Sequence, residues 1–393
     1  MSIVARRDWL NIRQVTSSRR KLVAGAAGSM IALALRGGGI AQTPEAPELA
    51  PFADRINDLM ALVPSEAGMD SDAMLALTFA DQERQLSAVG VPAPVGDELP
   101  EGHLAVTEGL PLRSTAYRLA LDPEWWETFG FAPLEVARTL VVGAPGNAVT
   151  LFAGGIDPER VREALLAAGY EEVEVDTGGS YLSFGEGISP DTVVGRLGVG
   201  SMNQAVILDD TVVFTHREAM IQQVVQVIDG SAPSMLEQGG WADMVSTFSA
   251  DVVGMMGVYP SILADLGDVS DIRQLAFAMR EGADNRDLDA AGDVQPATAA
   301  ADMPETRARV EVRIRYVDAD LARREAEAIP RRWSTMASMF TGQPLTELML
   351  VEKARVSDRD DTVAAVDFRV QGPAGRWISI LENRDLEAFV PTG

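Results

Sequence analysis

The chain carries two histidines, His103 and His216, and no cysteine. A serine triad needs a histidine between a nucleophilic serine and an acid. No Gly-x-Ser-x-Gly elbow supplies that serine here. The histidines lie far apart in sequence, which is thin support for a zinc site. Without cysteine there are no disulfides, thiolate metal ligands, iron–sulfur clusters or cysteine nucleophile. His216 falls between an expected strand end and a helix start, where a ring nitrogen serves well as a boundary hydrogen-bonding group.

Other residue types offer weaker chemistry. Gly178-Gly179, Gly185 to Gly187 and Gly195 to Gly200 read as turns at strand ends. They lack the Gly-Lys-Ser/Thr ending of a phosphate loop and the spacing of a dinucleotide fold. Asp358, Asp360 and Asp361 share one turn without the glycine and closing glutamate of a calcium loop, and Asp209-Asp210 reads as a tight turn. Trp125-Trp126 are adjacent on an expected helix, pointing about 100° apart, so only one need be buried: core or inter-element packing is the leading reading, and stacking on sugar or peptide the alternative. Trp125, Trp126 and His216 are therefore the ligand-contact residues to examine. No catalytic or metal-binding set stands out, and no cofactor is expected.

Charge separates the chain into two parts. Residues 1–41 hold seven basic groups and one acid, while the remaining residues hold 26 basic and 57 acidic groups, a net of −31. An acidic body of this kind repels nucleic acid and anionic lipid, so neither is an expected partner of the mature chain. The same charge keeps a protein dissolved. Lys21 and Lys353 are the only lysines; every other basic residue except the histidines is arginine.

The basic part reads as an export signal. Ser18, Arg19, Arg20, Lys21, Leu22 and Val23 follow the pattern of a twin-arginine signal peptide, with Arg36 after the apolar run Leu22 to Leu35. A 14-residue helix spans about 21 Å, short of a hydrocarbon core of about 30 Å. Gly39-Ile40-Ala41 places small residues for cleavage after Ala41. The resemblance implies passage through the twin-arginine translocase, processing by signal peptidase, and a periplasmic, cell-surface or secreted location. The alternative is a chain tethered to the membrane by an uncleaved N-terminal segment.

The elements follow from spacing. Phe52, Ile56, Leu59, Met60 and Val63 predict a helix over 52–62, and a strand is expected over 74–80. Asp122-Pro123-Glu124 and Asp157-Pro158-Glu159 are helix starts: aspartate caps, proline is preformed for the first turn, glutamate suits the positive end. A short helix is expected over 133–140. Strands are expected at 149–153, around Val173 and Val175, and at 181–184. Runs 205–208 and 211–215 form a hairpin, followed by a helix over 217–228. Val310, Val312, Ile314 and Tyr316 alternate with Glu311, Arg313 and Arg315, a strand with one wet face. A helix from Asp320 is expected to kink or break at Pro330. A hairpin over 351–370 and a helical stretch over 377–389 close the chain.

Both halves run strand, helix, hairpin-like strands, helix. This predicts an α+β protein of two similar lobes, an internal duplication, with helices packed on one face of each antiparallel sheet. The division is a signal peptide (1–41), an N-terminal helix, strand and proline-rich loop (42–104), a first lobe (105–240), a connecting segment with an Ala/Asp-rich linker (241–304) and a second lobe (305–393). The short pieces Ala61-Leu62-Val63-Pro64, Phe79-Ala80-Asp81 and Phe129-Gly130-Phe131 resemble those of exported bacterial proteins of unknown function, a resemblance that implies no activity. The expected role is an exported protein that binds a ligand or protein partner in the cell envelope, in a cleft between lobes. The alternatives are an exported hydrolase using dispersed carboxylates or serines, and a structural surface module.

Overall fold

Apolar spacing becomes structure along most of the chain. Helix α1 (Phe52–Met60) buries Phe52, Ile56, Leu59 and Met60 along one face, and strand β1 (Leu75–Asp81) runs straight into α2 (Gln82–Ala88). Helix α3 (Pro123–Phe129) precedes β2 (Arg138–Val142) and β3 (Val149–Ala153). Helix α4 (Pro158–Ala167) starts where Asp157 accepts the amides of Glu159 and Arg160. It ends before Gly169, whose φ of +100° suits glycine. Strands β4 (Glu171–Glu174), β5 (Ser180–Ser183), β6 (Gln204–Ile207) and β7 (Thr211–Thr215) lead to α5 (Glu218–Ile228) and α6 (Trp241–Ser246). Then follow β8 (Val252–Val258), β9 (Ile272–Arg280), β10 (Arg309–Tyr316), α7 (Ala319–Thr335), β11 (Met349–Val356), β12 (Val363–Val370) and α8 (Arg376–Glu382).

The computed structural model describes residues 51–67, 75–88, 123–132, 136–143, 147–175, 179–185, 187, 191–197, 201–238, 240–280, 308–339, 341–371, 376–382 and 385–391. The signal residues Ser18, Arg19, Arg20, Lys21, Leu22, Val23, Arg36 and Ala41, together with His103, the proline-rich loop after residue 88 and the Ala/Asp-rich linker over 282–306, lie outside them. Among the described residues no helix is long and apolar enough to cross a membrane.

The protein is α+β, with a large antiparallel sheet. The two expected lobes do not carry separate sheets. Among the described residues the strands join one 12-stranded sheet in the order β11-β12-β10-β9-β8-β1-β2-β3-β7-β6-β5-β4. The stretch 241–304, expected as a connection, contributes β8 and β9 near its middle. The expected short helix over 133–140 gives way to β2. Its β-branched Thr139, Val141 and Val142 pair with β1 on one side and β3 on the other. The helix through Pro330 continues to Thr335, so Pro330 costs a hydrogen bond without ending it. The expected C-terminal helix is α8 followed by a short 3-10 turn at Glu387–Phe389.

Helices cover both faces, not one. On the first face, Phe79, Leu140, Leu151 and Val213 pack with α1, α5 and α6. On the other face Ala80, Thr139, Phe152 and Val212 stand side by side across β1, β2, β3 and β7. That second face holds two cores. One surrounds Trp125, Phe129, Phe131 and Phe152 under α3 and α4; the other surrounds Phe277, Trp333, Phe368 and Phe389 under α7 and α8. The outer halves share a wiring. A strand (β3 or β10) is followed by a helix on the second face (α4 or α7) and then by the edge strand (β4 or β11). The chain then meanders back toward the first strand.

Both sheet edges are blunted against pairing with another chain. Strand β4 carries Glu171, Glu172 and Glu174, and β11 carries Glu352, Lys353 and Arg355 beside a bulge.

Candidate functional site

One cross-strand row changes character along the sheet. Val206, Val213, Leu151, Leu140, Phe79, Met255, Ala278, Glu311, Asp367 and Lys353 stand directly opposite one another on ten successive strands of the first face. The row is apolar as far as β9 and ionic from β10 outward. The change follows from β10, where Arg309, Glu311, Arg313 and Arg315 alternate with the apolar residues that fill the core below.

The ionic strip is a connected network. Arg313 donates to Glu311 at 2.6 Å and to Asp367 at 2.9 Å, and Arg355 donates to the other oxygen of Asp367 at 3.2 Å. Arg280 makes a forked contact with Asp251, its shortest bond 2.7 Å, and lies 3.5 Å from Glu311. Arg309 and Arg369 both approach Glu352, at 3.1 and 3.7 Å. Arg315 reaches Asp360 at 2.9 Å.

The segment between α6 and β8 is pinned over the inner part of this strip. Thr247 O accepts from Arg313 Nε at 3.2 Å, and the Phe248 ring lies 5.1 Å under the same guanidinium. The backbone amide and hydroxyl of Ser249 both donate to Glu311. As a result Glu311 and Arg313 are only 1% exposed, whereas Asp367, Arg355, Arg309 and Arg369 remain partly open to water. Burial works against the charge on Arg280, but Asp251, Glu311 and Asp367 outweigh it and hold its pKa above the ordinary arginine value. Asp360 is also penalised by burial, yet bonds from Thr362 and the charge of Arg315 lower its pKa. The arrangement provides planar, fixed donors suited to recognising oxygen anions.

Trp125, Trp126 and His216 occupy three different settings. Trp125 is core, 1% exposed, and its ring packs on Phe129, Phe131 and Phe152. Trp126 is 40% exposed, with the Arg160 guanidinium 4.2 Å above its ring. His216 is half-buried just after β7, and its Nδ1 has no hydrogen-bond partner among the described residues. Asp360 accepts both donors of Thr362, at 2.9 and 2.6 Å, and so closes the turn between β11 and β12. Among the described residues, no group of three or more His, Asp or Glu is placed to hold a metal ion.

No family model matches the chain, and no curated protein matches it. A solved structure of TP0453, in its crystal form I, is similar over 88% of this chain and 100% of that one, at 7% identity and a TM-score of 0.32. That likeness transfers no residue and no role.

The strip is only half legible in the sequence, where β10 reads as a strand with one wet face. Its alternation was legible, and four charged side chains at every second position was the available signal. What the pattern lacked was the covering segment at Thr247 to Asp251, which turns a wet face into a buried ionic network.

Proposed function

We propose that this chain is an exported protein that binds a ligand or protein partner in the cell envelope, and that the ionic strip of β10, β12 and β11 is its recognition surface. The observation behind this reading is the change along one face of the sheet, from a helix-covered apolar core to a charge network that is partly open to water. Buried ion pairs are weak contributors to stability, and apolar residues of similar size often do better. Oriented charges serve specificity and register between partners. The N-terminal pattern around Arg19 and Arg20 supports export through the twin-arginine route. The shared wiring of the two outer halves supports an internal duplication, now merged into one sheet.

The test is native mass spectrometry of the protein purified from its own host, beside an Arg355→Ser/Arg369→Ser double variant of unchanged melting temperature. A species that co-purifies with the wild type and is lost from the variant supports the reading. Equal retention by both, or no bound species in either, would overturn the placement of the site.

A further inference from the structure

Glu352 is the extra residue of a β-bulge on the edge strand. Leu350 pairs with Arg369 and Val351 with Phe368, and the register resumes at Lys353 opposite Asp367. Bulges re-aim a side chain out of the regular alternation. Here the Glu352 carboxylate reaches across the adjacent β12 toward β10. Arg309 Nε donates to one oxygen at 3.1 Å, and Arg369 Nε lies 3.7 Å from the other.

Arg309 and Arg369 stand directly opposite each other between β10 and β12, and Arg280 stands opposite Arg309 from β9. Like charges placed directly across a ladder destabilise a sheet unless anions lie among them. Arg280 has Asp251 and Glu311 for this purpose. Among the described residues, Arg309 and Arg369 share one carboxylate, and their side chains are 38% and 43% exposed. Two forked donors held by one acid, in a body of net −31, form a local exception to the charge of the protein.

We propose that Arg309 and Arg369 hold an oxyanion group of the ligand, a phosphate or carboxylate, and that Glu352 is the resident carboxylate it displaces. Exchanging one monovalent carboxylate for another gains little. The pair therefore selects ligands with at least two negative charges, which can engage both guanidinium forks at once. This inference rests on the reading of the ionic strip as the recognition surface, and it names the chemistry recognised there.

Isothermal titration with inorganic pyrophosphate and with citrate, at matched ionic strength, tests it. Compare the purified wild type with Glu352→Gln, Glu352→Ser, Glu352→Gln/Arg309→Gln and Glu352→Gln/Arg369→Gln, each checked for folding by thermal melting. Arg323→Gln, on α7 over the other face, is the control. The expected result is at least tenfold tighter binding of one probe on removing the Glu352 charge, and loss of that gain with either arginine. Arg323→Gln should change nothing. The better-bound probe separates a phosphate ligand from a carboxylate one. No binding of either probe by a folded Glu352 variant, or binding indifferent to Arg309 and Arg369, would overturn the proposal. If a co-purified ligand is lost with Arg355→Ser/Arg369→Ser while these titrations stay silent, the oxyanion chemistry fails and the surface stands. Loss of neither sinks both.

Discussion

Gly257 of β8 lies directly beneath the indole of Trp241: a Cβ at position 257 would stand 2.5 Å from Cη2 and 2.8 Å from Cζ3 of that ring. Trp241 opens α6, and the same chain continues to the segment pinned over the ionic strip. Gly257→Ala should therefore cost about 1–3 kcal/mol through overpacking, read as a lower midpoint in urea unfolding. A midpoint equal to wild type would mean that Trp241 moves freely, and that α6 does not depend on this contact.

Arg55 of α1 and Asp81 of β1 form a buried pair, with side chains 7% and 9% exposed. Arg55 also donates to Val252 O at 2.7 Å, tying α1 to β8. Removing one partner leaves an uncompensated buried charge, so Asp81→Ala should destabilise by about 3–5 kcal/mol. The apolar double variant Arg55→Met/Asp81→Leu should lose clearly less. Equal losses in denaturant titrations would show that the charge itself is not what matters.

Adjacent tryptophans should respond differently. Trp125→Ala opens a cavity in the aromatic core and should cost about 3–5 kcal/mol. Trp126→Ala removes a surface contact with Arg160, a cation–π pair worth about 0.5–1 kcal/mol at exposed sites. Calorimetric melting of both variants checks the order, and a larger loss for Trp126 would contradict the burial described for the pair.

Acid should weaken the turn between β11 and β12. The folded state lowers the pKa of Asp360 below its ordinary 3.8, through bonds from Thr362 and the charge of Arg315 that overcome burial. A depressed carboxylate contributes stability that is present above the unfolded pKa and is lost as pH falls through the folded one. The stability gap between wild type and Asp360→Asn should thus be widest above about pH 4 and close at lower pH. A gap that stays constant into strong acid would remove this linkage.

A twin-arginine signal depends on its arginine pair and ends at its cleavage site. Arg19→Lys together with Arg20→Lys should retain the chain in the cytoplasm, and the exported wild type should begin at Gln42. Cell fractionation and N-terminal sequencing check both. An exported chain that still begins at Met1 or Ser2 would exclude cleavage after Ala41.

Local order was readable wherever one side chain acts on its own backbone or one face repeats. Asp157 before Pro158 marked the start of α4, and the alternation of Val310, Val312 and Ile314 marked β10. The helix expected over 133–140 failed because a short apolar run suits either a helix turn or a strand, and the neighbours β1 and β3 settle the matter for β2. Of the two tryptophans expected as ligand contacts, Trp126 sits on the surface and Trp125 belongs to the core, and the arginines of β10 lie on the side of the strand whose alternation reads as a wet face.

By itself the sequence determined the type of those elements with a strong cap or a long periodic face, the charge contrast between the first 41 residues and the rest, and which residues share a face of a strand. Those properties depend on neighbours within a few positions. Only the tertiary structure decided that two expected lobes share one sheet, since β1 pairs with β8 across a separation no local pattern encodes. It also decided that Glu311 and Arg313 are buried. A period of two says that they point the same way, but what covers them comes from Thr247 to Asp251, and burial is a property of the pair of surfaces.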